Sequence, residues 1–284
     1  EIRLSLVGSE MCIRDRDYLL REFKEDSGQY RNLETGEEYE EKRMALRSLM
    51  NIRMPRYMPE EVLKVQDEFL ADEAREKGII TLSEIPDARE QYGCGHSCAD
   101  KLSVWQGDIT RLAVDAIVNA ANSQMLGCFI PCHRCIDNVI HSAAGIRLRA
   151  ECRDYMERRR RQAGQGYEEP TGQAVLTRGY SLPAKYVIHT VGPIVGGRLT
   201  DDLCRNLENC YRSVLTCCVE NGARTVAFCC ISTGEFHFPN REAARIAIGT
   251  VTGFLSEYGE KFDRVIFNVF KDEDKVIYEE ILKA

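Results

Sequence analysis

Between positions 128 and 135 the chain places Cys128, Cys132, His133 and Cys135, three thiols and an imidazole within eight consecutive residues. Thiolate sulfur and imidazole nitrogen are ligands that Zn²⁺ favours, and C-x₃-C-H-x-C spacing lets them converge from a single loop. The competing reading is a set of inert, buried thiols around one core histidine. It suits any one of these residues better than it suits all four together, so a metal site is expected here. A second stretch with chemistry is STGEFHFPN (232–240), containing Ser232, Thr233, Gly234, Glu235 and Phe236. Its glycine lets backbone N–H groups approach an anion closely, and a helix starting just after it adds the positive end of a dipole. Such a turn suits a diphosphate, although Gly and Ser also punctuate ordinary strand-to-helix turns.

These loops need a frame to hold them. From about residue 101, short apolar runs alternate with longer amphipathic segments, the pattern of an α/β fold whose parallel strands are covered by helices on both faces. Strands are expected at DAIVN (115–119), KYVIHTV (185–191), TVAFCCI (225–231) and RVIFNVF (264–270), flanked by KLSVWQ (101–106) and QAVLTR (173–178). One helix is expected to begin near Cys135 and continue past Gly145. Thr200 caps a second, with Leu203, Leu207, Cys210, Val214 and Cys218 as its buried stripe and Gly222 as its stop. Asn240 caps a third, with Ala244, Ala247, Ile248, Val251 and Leu255 facing inward, and a last helix runs from Asp272. Ligands of such sheets lie beyond the carboxyl ends of the strands, where both chemical loops fall.

Ahead of this region, residues 17–92 read as a small helical domain and linker. Tyr39, Met44, Leu46 and Leu49 mark one amphipathic helix, and Pro59 to Gly78 bounds another through Val62, Leu63, Gln66, Phe69 and Leu70. Pro86, Gly93 and Gly95 punctuate the linker, and residues 93–284 form the larger domain. The first sixteen residues, EIRLSLVGSEMCIRDR, resemble a translated sequencing adapter and are set aside as an artefact or a disordered segment. A net charge of −7 over 284 residues argues against a nucleic-acid partner, and no apolar run approaches the ~20 residues that span a bilayer. The thirteen cysteines, several of them inside apolar patterns, read as reduced thiols of a cytoplasmic protein. Cys94-Gly-His-Ser-Cys98 lacks a partner pair for a second metal, and His141 and His189 read as core histidines.

The segments WQGDITRL, DAIVNAANS, IHSAAG and HTVGP are arranged like those of macrodomains, a resemblance covering nearly everything from Leu102 onward. Where ordinary macrodomains carry a glycine-rich loop after NAANS, this chain has GCFIPCHRCIDN, which resembles the zinc-dependent macrodomain family of microbial protein-ADP-ribose hydrolases. The resemblance implies a three-layer α/β/α sandwich with a mixed, largely parallel sheet. It implies hydrolysis of ADP-ribose from acidic side chains, opposing a sirtuin-class transferase, with a lipoyl-carrier protein related to glycine-cleavage H protein as substrate. It points to Cys128, His133 and Cys135 as ligands of one Zn²⁺ per chain, with Cys132 a bystander or an alternative ligand. By the same resemblance Asp108 accepts from the adenine amino group with Ile109 beside it, and Asn122 contacts the distal ribose. Asp137 orients groups or acts as a general base, Asn138 supports the ribose, and residues 232–236 hold the diphosphate through their backbone. A deacylase of O-acyl-ADP-ribose, or a noncatalytic ADP-ribose-binding module with a structural zinc, are the alternatives. Four protein ligands would mark the structural site and three the open, catalytic one.

Overall fold

A computed structural model describes residues 10–284. Its centre is a six-stranded sheet of β2 (Leu102–Gln106), β4 (Ala116–Ala121), β5 (Ala174–Arg178), β6 (Tyr186–Val191), β7 (Thr225–Phe228) and β8 (Arg264–Val269). The spatial order is β2-β8-β7-β4-β6-β5, parallel throughout except where β5 runs antiparallel to β6. A separate parallel pair joins β1 (Ile80–Thr81) to β3 (Leu112–Ala113). Helices α5 (Ile136–Ala144) and α6 (Ile146–Ala163) pack beside β4 and β5. Helices α7 (Asp201–Asn221), α8 (Asn240–Tyr258) and α9 (Asp272–Lys283) pack on one another and complete the α/β/α sandwich. Val118, Ile188, Val226 and Ile266, one from each of four central strands, have no exposed surface, as two-face burial requires.

The α7 stripe is as expected except at Leu203, which is only partly buried: Leu207, Cys210, Val214 and Cys218 are buried, Thr200 accepts from the Leu203 N–H, and Gly222 closes the helix in the left-handed region. Two helical expectations are corrected. Gly145 (φ 86°) divides the helix expected to cross it into α5 and α6, and a Cβ there would meet Gln66 Nε2 at 2.6 Å. Asn240 does not cap α8, because its side-chain amide instead donates to Asp274 Oδ1 at 2.6 Å. Strand β7 is also shorter than TVAFCCI, since the chain leaves the sheet after Phe228 to build the loop that follows.

Three further helices precede the sheet: α1 (Glu10–Ser27), α2 (Tyr39–Ile52) and α3 (Glu60–Lys77). Leu19, Leu20 and Phe23 of α1 meet Leu46, Leu49 and Met50 of α2 and Val62, Phe69 and Leu70 of α3 in a core of their own. Residues 10–16, inside the stretch set aside as an artefact or a disordered segment, form part of α1, with Cys12 and Arg16 buried; residues 1–9 lie outside the described residues. Met44, expected inward, is 57% exposed. The segment read as a linker is packed: Ile85, Ala88, Cys94 and Cys98 join the core of the sheet, around α4 (Ala88–Tyr92). Among the described residues no two cysteines are joined, and no helix is long and apolar enough to cross a membrane.

A core as small as that of α1–α3 supplies no more than about 3–5 kcal/mol by itself, and polar bonds tie it to the sandwich. Gln66 of α3 accepts from the Ile146 N–H at 3.1 Å and so caps α6. Arg147 of α6 pairs with Glu60 at 2.6 Å and Asp67 at 2.8 Å. Arg149 returns the capping: its guanidinium donates to the carbonyls of Met50, Asn51 and Arg53 at the end of α2.

Candidate functional site

Strands β2, β4, β6 and β7 point their carboxyl ends at one rim, and the loops leaving them carry the chemistry. After β4, Asn122 donates to Asp137 Oδ2 and to the Gly127 carbonyl, both at 3.3 Å. Its Oδ1 accepts from the Gln124 N–H at 3.0 Å, which fixes the side chain at the loop's entrance. The chain then crosses Gly127 and reaches Cys128, His133 and Cys135, whose ligand atoms lie within 4.8 Å of one another. Cys128 Sγ is 3.6 Å from His133 Nδ1. A tetrahedral ion with bonds of ~2.0–2.3 Å can draw together donors spaced in this way. The donor set, two sulfurs and one imidazole nitrogen, is that of a zinc site, so these residues fit the metal. Cys135 also caps α5, its Sγ accepting from the Asn138 N–H at 3.4 Å. Burial, reinforced by Cys128, pushes its thiol up to about 12.

Cys132 turns away from this group. Its Sγ lies 3.5 Å from the Met44 carbonyl and 3.3 Å from Ser48 Oγ, both on α2. Three ligand residues therefore converge, and the remaining thiol of the motif does not.

Beneath the loop lies a buried polar knot. Asp137, 5% exposed, accepts from Asn119 Nδ2 at 2.8 Å as well as from Asn122. Burial raises its carboxyl to about 6, against the lowering effect of those amides and Arg149. Asn119 Nδ2 also contacts His189 Nδ1 at 3.1 Å, and His189 Nε2 contacts Thr177 Oγ1 at 2.9 Å. His141, Cys152 and His189 also bring their ligand atoms within 4.8 Å of one another. Both His189 nitrogens are already engaged, as expected of a core histidine, and burial holds both imidazoles well below their ordinary range. His141 is buried too, but among the described residues neither of its ring nitrogens makes a hydrogen bond; Cys94 and Cys98 are core residues.

Asn138 has no exposed surface, and its amide donates to the loop carbonyls of Cys128 at 3.3 Å and Ile130 at 2.9 Å, which holds the 128–135 loop in shape. Asp137 is similarly enclosed and holds the Asn119 and Asn122 amides.

At the end of β2, Asp108 Oδ1 accepts from the Thr110 N–H at 3.0 Å and its hydroxyl at 2.6 Å. Both bonds fall on one oxygen, so capping a turn and meeting a ligand can divide between the two. Ile109, 1% exposed as a whole residue, lies in the core. Beyond β8 stands Phe270, 76% exposed, whose carbonyl accepts from Gln106 Nε2. An aromatic ring standing in solvent just past β8 is not singled out by the sequence, where it reads only as the last residue of an apolar strand.

After β7, Ser232 (φ 65°) and His237 (φ 55°) bend residues 232–238 into a closed turn, with Phe238 N–H donating to the Ser232 carbonyl and His237 N–H to that of Gly234. Among the described residues the N–H groups of Gly234, Glu235 and Phe236 make no such backbone bond. They remain available as an anion nest. Thr233 Oγ1 bonds back to the Cys230 carbonyl, and the Ser232 side chain is buried, so backbone carries the site. Glu235 reaches further than its backbone: its Oε1 lies 3.9 Å from His133 Nε2, joining the two chemical loops.

A macro domain family model matches residues 118–247. A protein-ADP-ribose hydrolase of Treponema medium is 44% identical over 94% of this chain and 95% of its own length. Another of that name from Staphylococcus aureus (strain MRSA252) is 40% identical over 93% of each. Among solved structures, a Trypanosoma brucei macrodomain in complex with ADP-ribose superposes with a TM-score of 0.61 at 31% identity, covering 83% of this chain and 94% of the other. With its sheet order, its site at the strand ends and relatives of this likeness over nearly full length, the chain belongs to the macrodomain family.

Proposed function

We propose that this chain is a hydrolase that releases ADP-ribose from modified protein side chains, using one zinc ion held by Cys128, His133 and Cys135. One observation carries the reading: Cys132 faces α2, so the metal would have three protein ligands and an open position. The names of the Treponema and Staphylococcus relatives support the hydrolase. When bound, zinc supplies either a polarised substrate oxygen or a water made acidic near neutrality.

The chain's own residues do the rest. Asp108 accepts from the adenine amino group, and the exposed Phe270 offers the base a flat apolar face. The free N–H groups of 234–236, at the positive end of α8, hold the diphosphate. Asn122, fixed by Asp137, presents its loop to the distal ribose. The bond broken joins that ribose to a carboxyl side chain, on the model of a lipoyl-carrier protein modified by a sirtuin-class transferase. The test is release of ADP-ribose from such an acid-linked carrier by metal-replete protein, with zinc content measured on the same sample. Turnover that survives complete metal removal would refute the zinc role. Binding of ADP-ribose without turnover of any modified protein would leave a reader module instead.

Two variants probe the parts. Cys132→Ala should keep one zinc per chain and full turnover, since its thiol bonds to α2 alone; loss of the metal would make it a fourth ligand. Gly234→Val should fold normally, because no atom lies within 4 Å of the added Cβ and the backbone is not in the left-handed region. Its side chain would fill the nest and remove two or so charge-assisted bonds, weakening ADP-ribose binding about 100-fold by calorimetry. Unchanged affinity would place the diphosphate elsewhere.

A further inference from the structure

We infer that α2 is a working part of the metal centre: Arg47 and Asn51 fix the conformation of the 128–135 loop and are positioning residues for its three metal ligands. The inference rests on the zinc reading above and extends it to helices that lie outside the macro domain match. The loop contains no regular structure, and Cys132 occupies the left-handed region (φ 50°), which a residue with a Cβ holds only under constraint. Asn51 provides that constraint. Its Oδ1 accepts from the Cys132 N–H at 2.9 Å, while its Nδ2 is anchored on Ser142 Oγ at 2.9 Å. The orientation of Cys132 sets where the next residue, His133, begins.

Arg47 reaches one ligand residue, His133, directly and the other two through Asn138. Its Nη2 donates to the His133 carbonyl at 3.2 Å and to Asn138 Oδ1 at 2.9 Å, and its Nε to Ser142 Oγ at 3.2 Å. Asn138, held in this way, donates from its side chain to the Cys128 carbonyl and from its backbone to Cys135 Sγ. One guanidinium therefore fixes His133 directly and Cys128 and Cys135 through a single intermediary. Outer partners of this kind orient metal ligands without touching the ion.

The experiment uses the full chain with Arg47→Met, Asn51→Leu and Asn51→Asp. Zinc affinity is measured by equilibrium competition with a chelator, and amide hydrogen exchange is followed on the metal-free protein. Arg47→Met and Asn51→Leu should weaken zinc binding by about 10–100-fold. They should also speed exchange of the Cys132 amide and its neighbours by about tenfold or more while leaving β4 and β8 protected. Binding of ADP, which lacks the distal ribose, should be unchanged and so reports an intact nucleotide cleft. Asn51→Asp keeps the acceptor for Cys132 and should restore most of both losses. Exchange and zinc affinity equal to the parent in both disruptive variants would overturn the inference. If the parent takes up no zinc while the loop still loosens, the bracing stands and the zinc reading fails instead.

Discussion

Replacing Cys135 with serine is expected to abolish both stoichiometric zinc and ADP-ribose release while the chain stays folded. Cys135 has two roles that the substitution separates. As the residue that caps α5 it accepts from the Asn138 N–H, and serine is among the best residues for that position. The helix should therefore start as before, with melting unchanged in chelated samples. As a ligand it supplies one of only two convergent sulfurs, and a hydroxyl is a poor replacement for a thiolate on zinc. If the metal contributes about 4 kcal/mol of transition-state stabilisation, turnover should fall by about three orders of magnitude. The measurements are zinc by elemental analysis and ADP-ribose release from a modified carrier, compared with parent protein stripped by chelator. The variant and the stripped parent should be equally slow. A variant that keeps parental turnover after losing its zinc would show that the ion is not catalytic.

What made this site legible in the sequence was the density of unusual ligands in a loop at a strand end. Cys128, His133 and Cys135 are short-range neighbours, so their convergence needed no knowledge of tertiary packing, and the structure brings them within 4.8 Å. The parallel strands were equally visible, because two-face burial leaves unbroken apolar runs such as RVIFNVF. What the sequence hid depends on long-range contact. Cys132 has the same chemistry as its neighbours, and only the position of α2, more than eighty residues away in sequence, shows where its thiol points. The sequence also does not show that the Asn138 amide is held by the carbonyls of Cys128 and Ile130, contacts that only the folded loop creates. The sequence carries a helix past Gly145; it is the positive φ there and the close approach of Gln66 from α3 that demand a residue without a Cβ. Arg47 and Asn51 carry no motif and sit in a segment that reads only as an amphipathic helix of a small domain.

The same dependence on α2 predicts the largest stability loss, in a residue with no direct role at the nucleotide cleft. Arg149 is 4% exposed and donates to Met50 at 3.2 Å, Asn51 at 2.7 Å and Arg53 at 2.8 Å, satisfying carbonyls that the end of α2 leaves without helical partners. Its other nitrogen donates to the Cys128 carbonyl at 3.3 Å, and its guanidinium lies 4.3 Å from the centre of the Phe129 ring. Burial pulls its pKa down to about 10, partly offset by Asp137, so it remains a cation at neutral pH and meets the negative end of the α2 dipole. Arg149→Met keeps much of the apolar stem and removes every one of these bonds. With several buried carbonyls left unpaired at ~1–3 kcal/mol each, the loss should be about 4 kcal/mol. For a chain of this size that lowers the melting temperature by about 10 °C. Arg149→Lys keeps the charge but lacks the planar fork that spans three carbonyls, and should fall between the two. The comparison is thermal unfolding of metal-free samples, so that loss of zinc does not contribute. A melting temperature for Arg149→Met matching the parent would mean that α1–α3 dock through their apolar core alone, and that capping by Arg149 contributes nothing to the joint.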